Sequence, residues 1–480
     1  MKTKIVIALL VGLITSTAGA QAPIDTNAID QVFSKWDKPD SPGCTVAILK
    51  DGNIVYAKGF GMANLDYLVP NQPNTVFRIA STSKQITAAL MALLAQEGVL
   101  SLDDDIRKWI PEIPDYGKTI TIKDLIYHVS GLRDYTSIMY LNDTLDDHCS
   151  DEEALAIISR QKGVNFDPGT RFSYCNTGYF LLSVICERAT GQTIRESAED
   201  YIFEPLKMTH THFQDDYREV IPNRAIGYER DDDRDWKIST TRMEMCGDGG
   251  IFTTVEDYAL WDENFYTGQV GGPNFLKTIQ TPGGMNAGQP QGYAFGLDIN
   301  EHRGLPVVSH GGAWVGYRAE MIRFPEQHFS VICFSNAANC SPTKLCYEVA
   351  DICLEDIYPK EEAKEPQAQE PPSNEDREGK KTKQKKNVDL TPAQLRHCLG
   401  RYYSEELGML CHIEMNDGAL ALRVSGDVYD LRAISPDRFR GAFNTQLTFQ
   451  KHEGEITGFL LDQDDLHGLK FERIEPHPSR

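Results

Sequence analysis

The 480-residue sequence is poor in basic residues, and it has no long hydrophobic run after its first twenty residues. Lys and Arg number 48 against 70 Asp and Glu, which gives a net charge of -22. Because such a surface repels phosphate, nucleic acid is excluded as an expected partner. No later segment is long and apolar enough to span a bilayer, so we expect no integral membrane span once the leader is removed.

The first twenty residues have the layout of a secretory signal peptide. Lys2 and Lys4 precede the apolar run Ile5–Ile14, and small residues follow. This pattern predicts cleavage after Ala20 or after Ala22. An uncleaved membrane anchor is the alternative, which the shortness of the apolar run disfavours. We therefore expect export to a periplasmic or extracellular compartment.

The cysteines are odd in number, eleven in all, so at least one of them is free or paired between chains. Cys44, Cys175, Cys186 and Cys333 lie within or beside apolar runs, and we expect them to be buried as small hydrophobic side chains. Spacing defines no connectivity, and no disulfide is predicted.

Composition divides the rest of the chain. Residues 360–386 are rich in Glu, Lys, Pro and Gln and lack large apolar side chains, so the segment 359–389 is predicted to be a flexible linker. The lysines there are interpreted as a solvated tether, with contact to an anionic surface as the alternative. We expect a catalytic domain over 23–358 and a smaller domain over 390–476.

The segment 23–358 mixes helix and strand patterns. Cys44–Leu49 and Ile54–Ala57 are strand-like and flank Gly52, which indicates a hairpin. Apolar residues at helical spacing predict a helix over Lys84–Glu97. These patterns favour an α+β fold.

The segment 390–476 alternates apolar and polar residues between turn signals. Cys411–Met415 and Ala419–Val424, for example, are separated by Asn416-Asp417-Gly418. Short strands at regular spacing predict a small antiparallel barrel or sandwich, and we favour a lipocalin-like β-barrel.

Ser81 and Lys84 are the first candidate catalytic residues. They are three positions apart at the predicted helix start, so they project from one helix face. A serine hydroxyl needs a neighbouring base to become a good nucleophile, and a lysine amine can serve as that base. Taken alone, Ser-x-x-Lys occurs often by chance, and a capping serine with a solvated lysine is the alternative.

Two further motifs follow along the chain. Tyr174-Cys175-Asn176 offers a phenol that can relay a proton and an amide that can hold a carbonyl or orient a lysine. His310-Gly311-Gly312-Ala313 ends a strand-like run, and its glycines allow close approach of a substrate backbone. Taken singly, each motif also suits an ordinary turn or strand end.

Together, Ser81-x-x-Lys84, Tyr174-x-Asn176 and His310-Gly311-Gly312 resemble the motifs of the class C beta-lactamase and penicillin-binding-protein-like serine hydrolases. Their order and wide spacing match, and the likeness extends over roughly Ile29 to Tyr358. The segment Leu125–Leu132, which contains His-Val-Ser-Gly, also looks like that family. The resemblance implies an antiparallel sheet flanked by helices, with an all-helical subregion.

The resemblance also implies a role for each motif residue. Ser81 would be the acylated nucleophile, and Lys84 would accept its proton. Tyr174 would relay protons to the leaving group and from the deacylating water. Asn176 would position Lys84 and the substrate.

The remaining implied roles concern the oxyanion hole and the strand that carries the third motif. The backbone N–H groups of Ser81 and Ala313 would form an oxyanion hole, and His310, Gly311 and Gly312 would line the substrate-binding strand. The resemblance implies no metal and no other cofactor.

His310 departs from the Lys-Thr-Gly motif that many beta-lactamases of this family carry. Lysine offers a fixed cation to a substrate carboxylate, whereas histidine at its ordinary pKa is largely neutral near pH 7. This departure argues against efficient beta-lactam hydrolysis, and the His-x-Gly version resembles some D,D-peptidases and D-aminopeptidases of the group. The resemblance therefore implies hydrolysis of a small peptide or amide containing a D-amino acid, of the D,D-carboxypeptidase or D-aminopeptidase type.

Other functions are kept as alternatives. An esterase or a beta-lactamase of the same family would act on an ester or a beta-lactam. A non-catalytic binding protein with a penicillin-binding fold is the alternative of another class. The sequence does not define the oligomeric state.

Overall fold

The computed structural model describes residues 24–230, 235–283, 285–286, 288–359, 388, 390–424, 427–442 and 444–474. The predicted signal peptide and nearly all of the predicted linker lie outside these residues. The domain limits 23–358 and 390–476 stay predictions.

The elements of the described residues are numbered in chain order. The α-helices are α1 Thr26–Phe33, α2 Lys84–Gln96, α3 Ile122–Ile126, α4 Tyr135–Leu141, α5 Asp151–Ser159, α6 Asn176–Thr190, α7 Ile194–Ala198, α8 Glu204–Leu206, α9 Val255–Thr267, α10 Gly272–Ile279, α11 Pro342–Cys353 and α12 Pro392–His397. The strands before the C-terminal region are β1 Cys44–Lys50, β2 Asn53–Phe60, β3 Met62–Asn64, β4 Val69–Pro70, β5 Phe77–Arg78, β6 His212–Phe213, β7 Tyr228–Glu229, β8 Lys237–Ile238, β9 Ile251–Thr253, β10 Met285–Asn286, β11 Gln289–Pro290, β12 Asp298–His302, β13 Leu305–Trp314, β14 Tyr317–Phe324 and β15 Phe329–Ser335. The strands of the C-terminal region are β16 Gly400–Ser404, β17 Met409–Asn416, β18 Ala419–Val424, β19 Asp427–Ser435, β20 Arg438–Arg440, β21 Gln446–His452, β22 Glu455–Gln463 and β23 Leu466–Ile474.

A six-stranded antiparallel sheet in the order β12-β13-β14-β15-β1-β2 is the centre of the larger region. Successive side chains of strand β15 point to opposite faces of this sheet and pack into two different hydrophobic clusters. Val331 and Cys333 pack with α1 and α11, whereas Ile332 and Phe334 pack with the cluster that contains α2 and α9. The sheet is therefore sandwiched between helices.

Helix α2 lies at the centre of the helical subregion. Its residues from Lys84 to Leu94 are all buried, and it contacts α6, α7 and α10. A helix that is buried on every side needs apolar or fully hydrogen-bonded side chains all round. The one lysine on it therefore has to find its partners inside the protein.

The C-terminal region is a closed eight-stranded barrel, with β16 paired to both β17 and β23. The predicted turn between β17 and β18 places Asp417 and Gly418 at positive φ, 46° and 85°. Two such residues suit the tight hairpin that Asp-Gly favours. Together with the sheet and helices of the larger region, the barrel confirms the predicted fold class, α+β followed by a small all-β barrel.

The barrel is joined to the larger region by buried polar contacts. Arg133 and Glu406 form an ion pair with both side chains buried, and the Arg133 guanidinium also donates to the His467 carbonyl at 2.8 Å. Gln161 donates to the Glu406 carbonyl at 2.9 Å. Ile138 of α4 packs into the hydrophobic core of the barrel. These contacts hold the barrel against the region that carries the candidate motifs.

No helix within the described residues is both long enough and apolar enough to cross a membrane. The eleven cysteines are all free thiols, and ten of them are buried. The four cysteines singled out from their apolar surroundings are among these buried thiols, which matches the expectation of hydrophobic packing.

Candidate active site

Ser81 lies on a short helical turn, Ala80–Ser83, between β5 and α2. The turn is held by β9, because Ile251 donates its N–H to the Ser83 hydroxyl at 3.1 Å and accepts from the Ile79 N–H at 3.0 Å. Ala80 adopts a positive φ of 47°, which is uncommon for a residue other than glycine. Such strain is typical of functional sites and depends on firm support from the surrounding structure.

Lys84 occupies the first turn of α2 and is completely buried. Its Nζ lies 3.1 Å from Ser81 Oγ, 2.9 Å from Asn176 Oδ1 and 2.6 Å from the Asp248 carbonyl oxygen. An ammonium group would donate to all three oxygens, whereas a neutral amine would donate to Asn176 and Asp248 and accept from the Ser81 hydroxyl. The Ser81 contact is short enough for direct proton transfer.

Asn176, the first residue of α6, has a defined amide orientation. Its Nδ2 donates to Thr136 Oγ1 at 3.2 Å, which leaves Oδ1 facing Lys84. Its backbone N–H donates to the Asp134 carboxylate, and the Thr136 hydroxyl donates to the same side chain. Asp134 and Thr136 therefore fix both the backbone and the amide of Asn176.

Tyr174 is partly exposed and lies over Lys84, with 4.9 Å between its ring centroid and Nζ. The phenol ring is also close to the His128 ring, at a centroid distance of 4.2 Å. This position places Tyr174 between the buried amine and the open cleft.

Strand β13 passes directly against the Ser81 turn. A Cβ at Gly312 would lie 2.1 Å from the Ile79 carbonyl oxygen and 3.1 Å from the Ser81 backbone nitrogen. Only glycine allows this approach. The Thr82 hydroxyl, which donates to the His310 carbonyl at 3.3 Å, joins the turn to the strand. The geometry brings the Gly312–Ala313 backbone to the side of the Ser81 amide.

All eight candidate residues surround one site. Its main cleft has a volume of about 550 Å³, and a smaller cavity of about 230 Å³ adjoins it. Ser81, Tyr174 and Ala313 line both spaces. The catalytic roles assigned to these residues stay predictions.

His310 belongs to a hydrogen-bonded chain that the sequence analysis missed. His128 Nδ1 accepts from the Cys175 N–H at 3.0 Å, so the proton of this ring is on Nε2 when the ring is neutral. That proton faces the Tyr293 hydroxyl at 3.2 Å, and Tyr293 in turn lies 3.0 Å from His310 Nε2. The remaining ring nitrogen, His310 Nδ1, lies 2.6 Å from the Gly311 carbonyl oxygen.

One proton arrangement satisfies every member of this chain. His128 donates to Tyr293, Tyr293 donates to His310, and His310 donates to its neighbouring carbonyl. Burial, with a smaller effect of the Lys84 charge, lowers the pKa of His310 to about 4. The same two causes lower the pKa of His128 well below its usual value. Both rings are therefore neutral at pH 7, and His310 supplies no cation to the cleft.

Asp248 is a further residue that the sequence analysis missed. Its carboxylate is buried and accepts from the Tyr135 hydroxyl at 2.8 Å. Burial raises the pKa of this group, and the nearby Lys84 opposes that effect. The glycines around Asp248, in Gly-Asp-Gly-Gly, are the only local hint of a close approach to the lysine.

Within the described residues, no group of three or more His, Cys, Asp or Glu side chains is placed to hold a metal ion.

The profile of the Beta-lactamase family matches residues 29–345, about two thirds of the chain. The chain belongs to the Beta-lactamase family. The match confirms the resemblance that the three motifs indicate.

Curated relatives include a D-aminopeptidase of Gluconobacter oxydans, which is 30% identical over 297 residues. That match covers 62% of this chain and 56% of the relative, so the chain spans little more than half of its length. A penicillin-binding protein of Bacillus subtilis is 30% identical over 311 residues, with 61% of this chain and 67% of the relative covered.

Solved structures show the same fold. The octameric penicillin-binding protein homologue from Pyrococcus abyssi has a TM-score of 0.62 at 23% identity, and the match covers 93% of this chain and 99% of that one. The D-amino acid amidase from Ochrobactrum anthropi has a TM-score of 0.58 at 23% identity, with 69% and 98% covered.

Proposed function

We propose that this protein is a serine hydrolase that cleaves amide bonds of small substrates containing a D-amino acid, through an acyl-enzyme. The hydrogen-bonded set of Ser81, Lys84 and Asn176 beneath Tyr174 carries the proposal. The curated relatives named D-aminopeptidase support the choice of substrate class.

In the proposed first step Lys84 acts as a neutral amine. Ser81 Oγ attacks the substrate carbonyl carbon, and the Ser81 proton passes to the lone pair of Lys84 Nζ, which becomes an ammonium group. The backbone N–H groups of Ser81 and Ala313 would hold the developing oxyanion. As the C–N bond breaks, a proton passes by way of Tyr174 to the leaving amine.

In the second step, water attacks the acyl carbon and gives its proton back through the same groups. This step releases the acid and restores the Ser81 hydroxyl. Asn176 keeps Lys84 in place throughout, since Thr136 fixes its side-chain amide and Asp134 fixes its backbone N–H.

The cavity lined by Asp464 and Asp465 favours a D-aminopeptidase over a D,D-carboxypeptidase, although Arg318 and Arg78 line the two spaces around Ser81. A carboxypeptidase substrate ends in a carboxylate, and neutral His310 offers it no fixed cation. The barrel hairpin between β22 and β23 instead brings Asp464 and Asp465 to a cavity beside Trp314. Burial, and then the charge of Asp134, raises the pKa of Asp465. A substrate ammonium group would reduce the repulsion between the Asp465 and Asp134 carboxylates.

Labelling with a fluorophosphonate probe tests the nucleophile. We expect Ser81→Ala to abolish labelling, whereas labelling at an unchanged rate would remove Ser81 from this role. A substrate panel then tests the specificity, with a D-amino-acid amide, a D-Ala-D-Ala peptide, a p-nitrophenyl ester and a chromogenic cephalosporin. We expect the D-amino-acid amide to have the highest kcat/KM. Stable acylation of Ser81 with no product release would instead support the non-catalytic binding protein.

We also propose that the protein is exported, on the basis of the predicted signal peptide in its first twenty residues. N-terminal sequencing of protein recovered from outside the cytoplasm should begin at Gln21 or Pro23. Recovery only of chains that still begin at Met1 would contradict cleavage.

A further inference from the structure

The barrel carries a second cavity that is separate from the catalytic cleft. It has a volume of about 460 Å³ and lies at the end of the barrel where α4 packs. The barrel contributes Leu431, Leu461 and Phe471, and the other region contributes Tyr140 and Leu145. None of its described lining residues also lines the two spaces that contain Ser81.

The floor of this cavity is apolar and preformed. Leu431, Leu461 and Phe471 are buried members of the barrel core, so their positions are set by packing. A volume of this size is typical of sites for small organic molecules. The floor therefore suits an aliphatic chain or a compact apolar group.

The rim of the cavity is acidic. Asp143, Asp146 and Asp427 line it, and none of the described lining residues is Lys, Arg or His. Tyr429, also on the rim, has a raised pKa because of burial and then the negative charge of Asp427. Tyr140 lies at the mouth with 61% of its surface exposed, where its ring could cover a cationic group. The rim thus favours a positive charge above an apolar floor.

Helix α4 forms one wall of the cavity and also supports the active site. Its first turn contains Thr136, which accepts from the Asn176 amide. Its last turn contains Tyr140, at the cavity mouth. Between them, Ile138 is embedded in the barrel core. A molecule in the cavity would therefore contact the same seven-residue helix that helps to hold Asn176.

We propose that this cavity binds a small amphipathic molecule with an aliphatic body and a cationic head group. The apolar floor, the enclosed volume and the acidic rim carry the proposal together. The cavity shares no described lining residue with the two spaces around Ser81, so the proposal does not depend on the acyl-enzyme chemistry. It does share Tyr140, Leu145 and Gln463 with the cavity that contains Asp464 and Asp465.

Isothermal titration calorimetry on the full chain tests the proposal, with dodecyltrimethylammonium as the probe below its micelle-forming concentration. We expect saturable binding of one molecule per chain. Dodecanoate, which has the same apolar length and an anionic head, should bind at least tenfold more weakly. Absence of saturable binding would overturn the site, and equal affinity for the two probes would overturn the head-group assignment.

Two variants locate the binding. Ala442 is exposed at the cavity, so Ala442→Trp should fill its entrance and weaken probe binding at least tenfold. Val220→Trp, on an exposed position of the larger region, is the matched control and should bind as the wild type does. Asp427→Asn should reduce the difference in affinity between dodecyltrimethylammonium and dodecanoate. Unchanged binding in Ala442→Trp, or an unchanged difference in Asp427→Asn, would overturn the assignment.

Discussion

Tyr293→Phe removes the one hydroxyl that joins two buried histidines. In the wild type this hydroxyl lies 3.2 Å from His128 Nε2 and 3.0 Å from His310 Nε2. The phenylalanine ring keeps the packing but can neither accept from His128 nor donate to His310. The substitution therefore tests whether these hydrogen bonds hold His310 and strand β13 in their observed positions.

The size of the effect follows from the two groups that lose a partner. A buried polar group without a hydrogen bond costs roughly 1 to 3 kcal/mol. We therefore expect Tyr293→Phe to lower the free energy of unfolding at pH 7 by about 2 to 6 kcal/mol. Because His310 precedes the glycines beside Ser81, we also expect kcat/KM to fall by roughly a factor of ten.

The pH dependence of stability distinguishes the loss of these hydrogen bonds from a simple packing defect. The pKa of His310 is lowered in the folded state from 6.5 to about 4, so only the unfolded state binds its proton between these values. Stability is therefore lost as the pH falls from 6.5 toward 4, by about 3 kcal/mol for this group. Without the Tyr293 hydroxyl, His310 Nε2 should accept a proton at a higher pH. The difference in unfolding free energy between variant and wild type should thus become smaller as the pH falls from 7 to 5.

Denaturant unfolding at pH 7 and at pH 5, together with a kcat/KM profile, measures these effects. Tyr67→Phe, at an exposed position, is the matched control and should change neither quantity. The hydrogen-bonded chain would be refuted if the unfolding free energy of Tyr293→Phe at pH 7 stayed within about 0.5 kcal/mol of the wild-type value and kept the same pH dependence.

Three further predictions concern other parts of the fold. Gly312→Ala should lower kcat/KM at least a hundredfold, because the new Cβ would lie 2.1 Å from the Ile79 carbonyl oxygen and 3.1 Å from the Ser81 backbone nitrogen. Glu406→Gln should lower the unfolding free energy by about 3 kcal/mol, because it leaves the buried Arg133 without its counter-charge. Burial raises the pKa of Glu320 to about 7 in the folded state. Stability should therefore fall by about 3 kcal/mol as the pH rises from 4.5 to 7, and Glu320→Gln should remove this loss.

Matched controls accompany each of these variants. In Gly163→Ala the new Cβ would make only an ordinary contact, 3.8 Å from Arg133 Nη2, and the variant should leave kcat/KM unchanged. Glu405→Gln alters an exposed ion pair with Lys162 and should change stability by less than about 1 kcal/mol. Glu301→Gln, at an exposed position on β12, should keep the pH dependence of the wild type. Equal behaviour of any variant and its control would contradict the corresponding prediction.

Sequence alone determined the features that depend on residues close together in the chain. Hydrophobic spacing predicts α2 almost to the residue, and Asp417-Gly418 predicts its hairpin, because both depend on local backbone preference. Ser81 and Lys84 could be paired from their spacing, since one helical turn brings them to the same face. The three motifs in order also sufficed to indicate the family.

Only the tertiary structure decided which distant groups complete the site. Asn176 is 92 positions from Lys84, and Tyr293 is 165 positions from His128. No local preference encodes such contacts, because they arise when separate elements pack around a common core. The neutral state of His310 has the same origin, since burial and the Lys84 charge set its pKa. The charge state of the candidate site thus depends on the packed fold, whereas the types of its candidate catalytic residues can be recognised from the sequence.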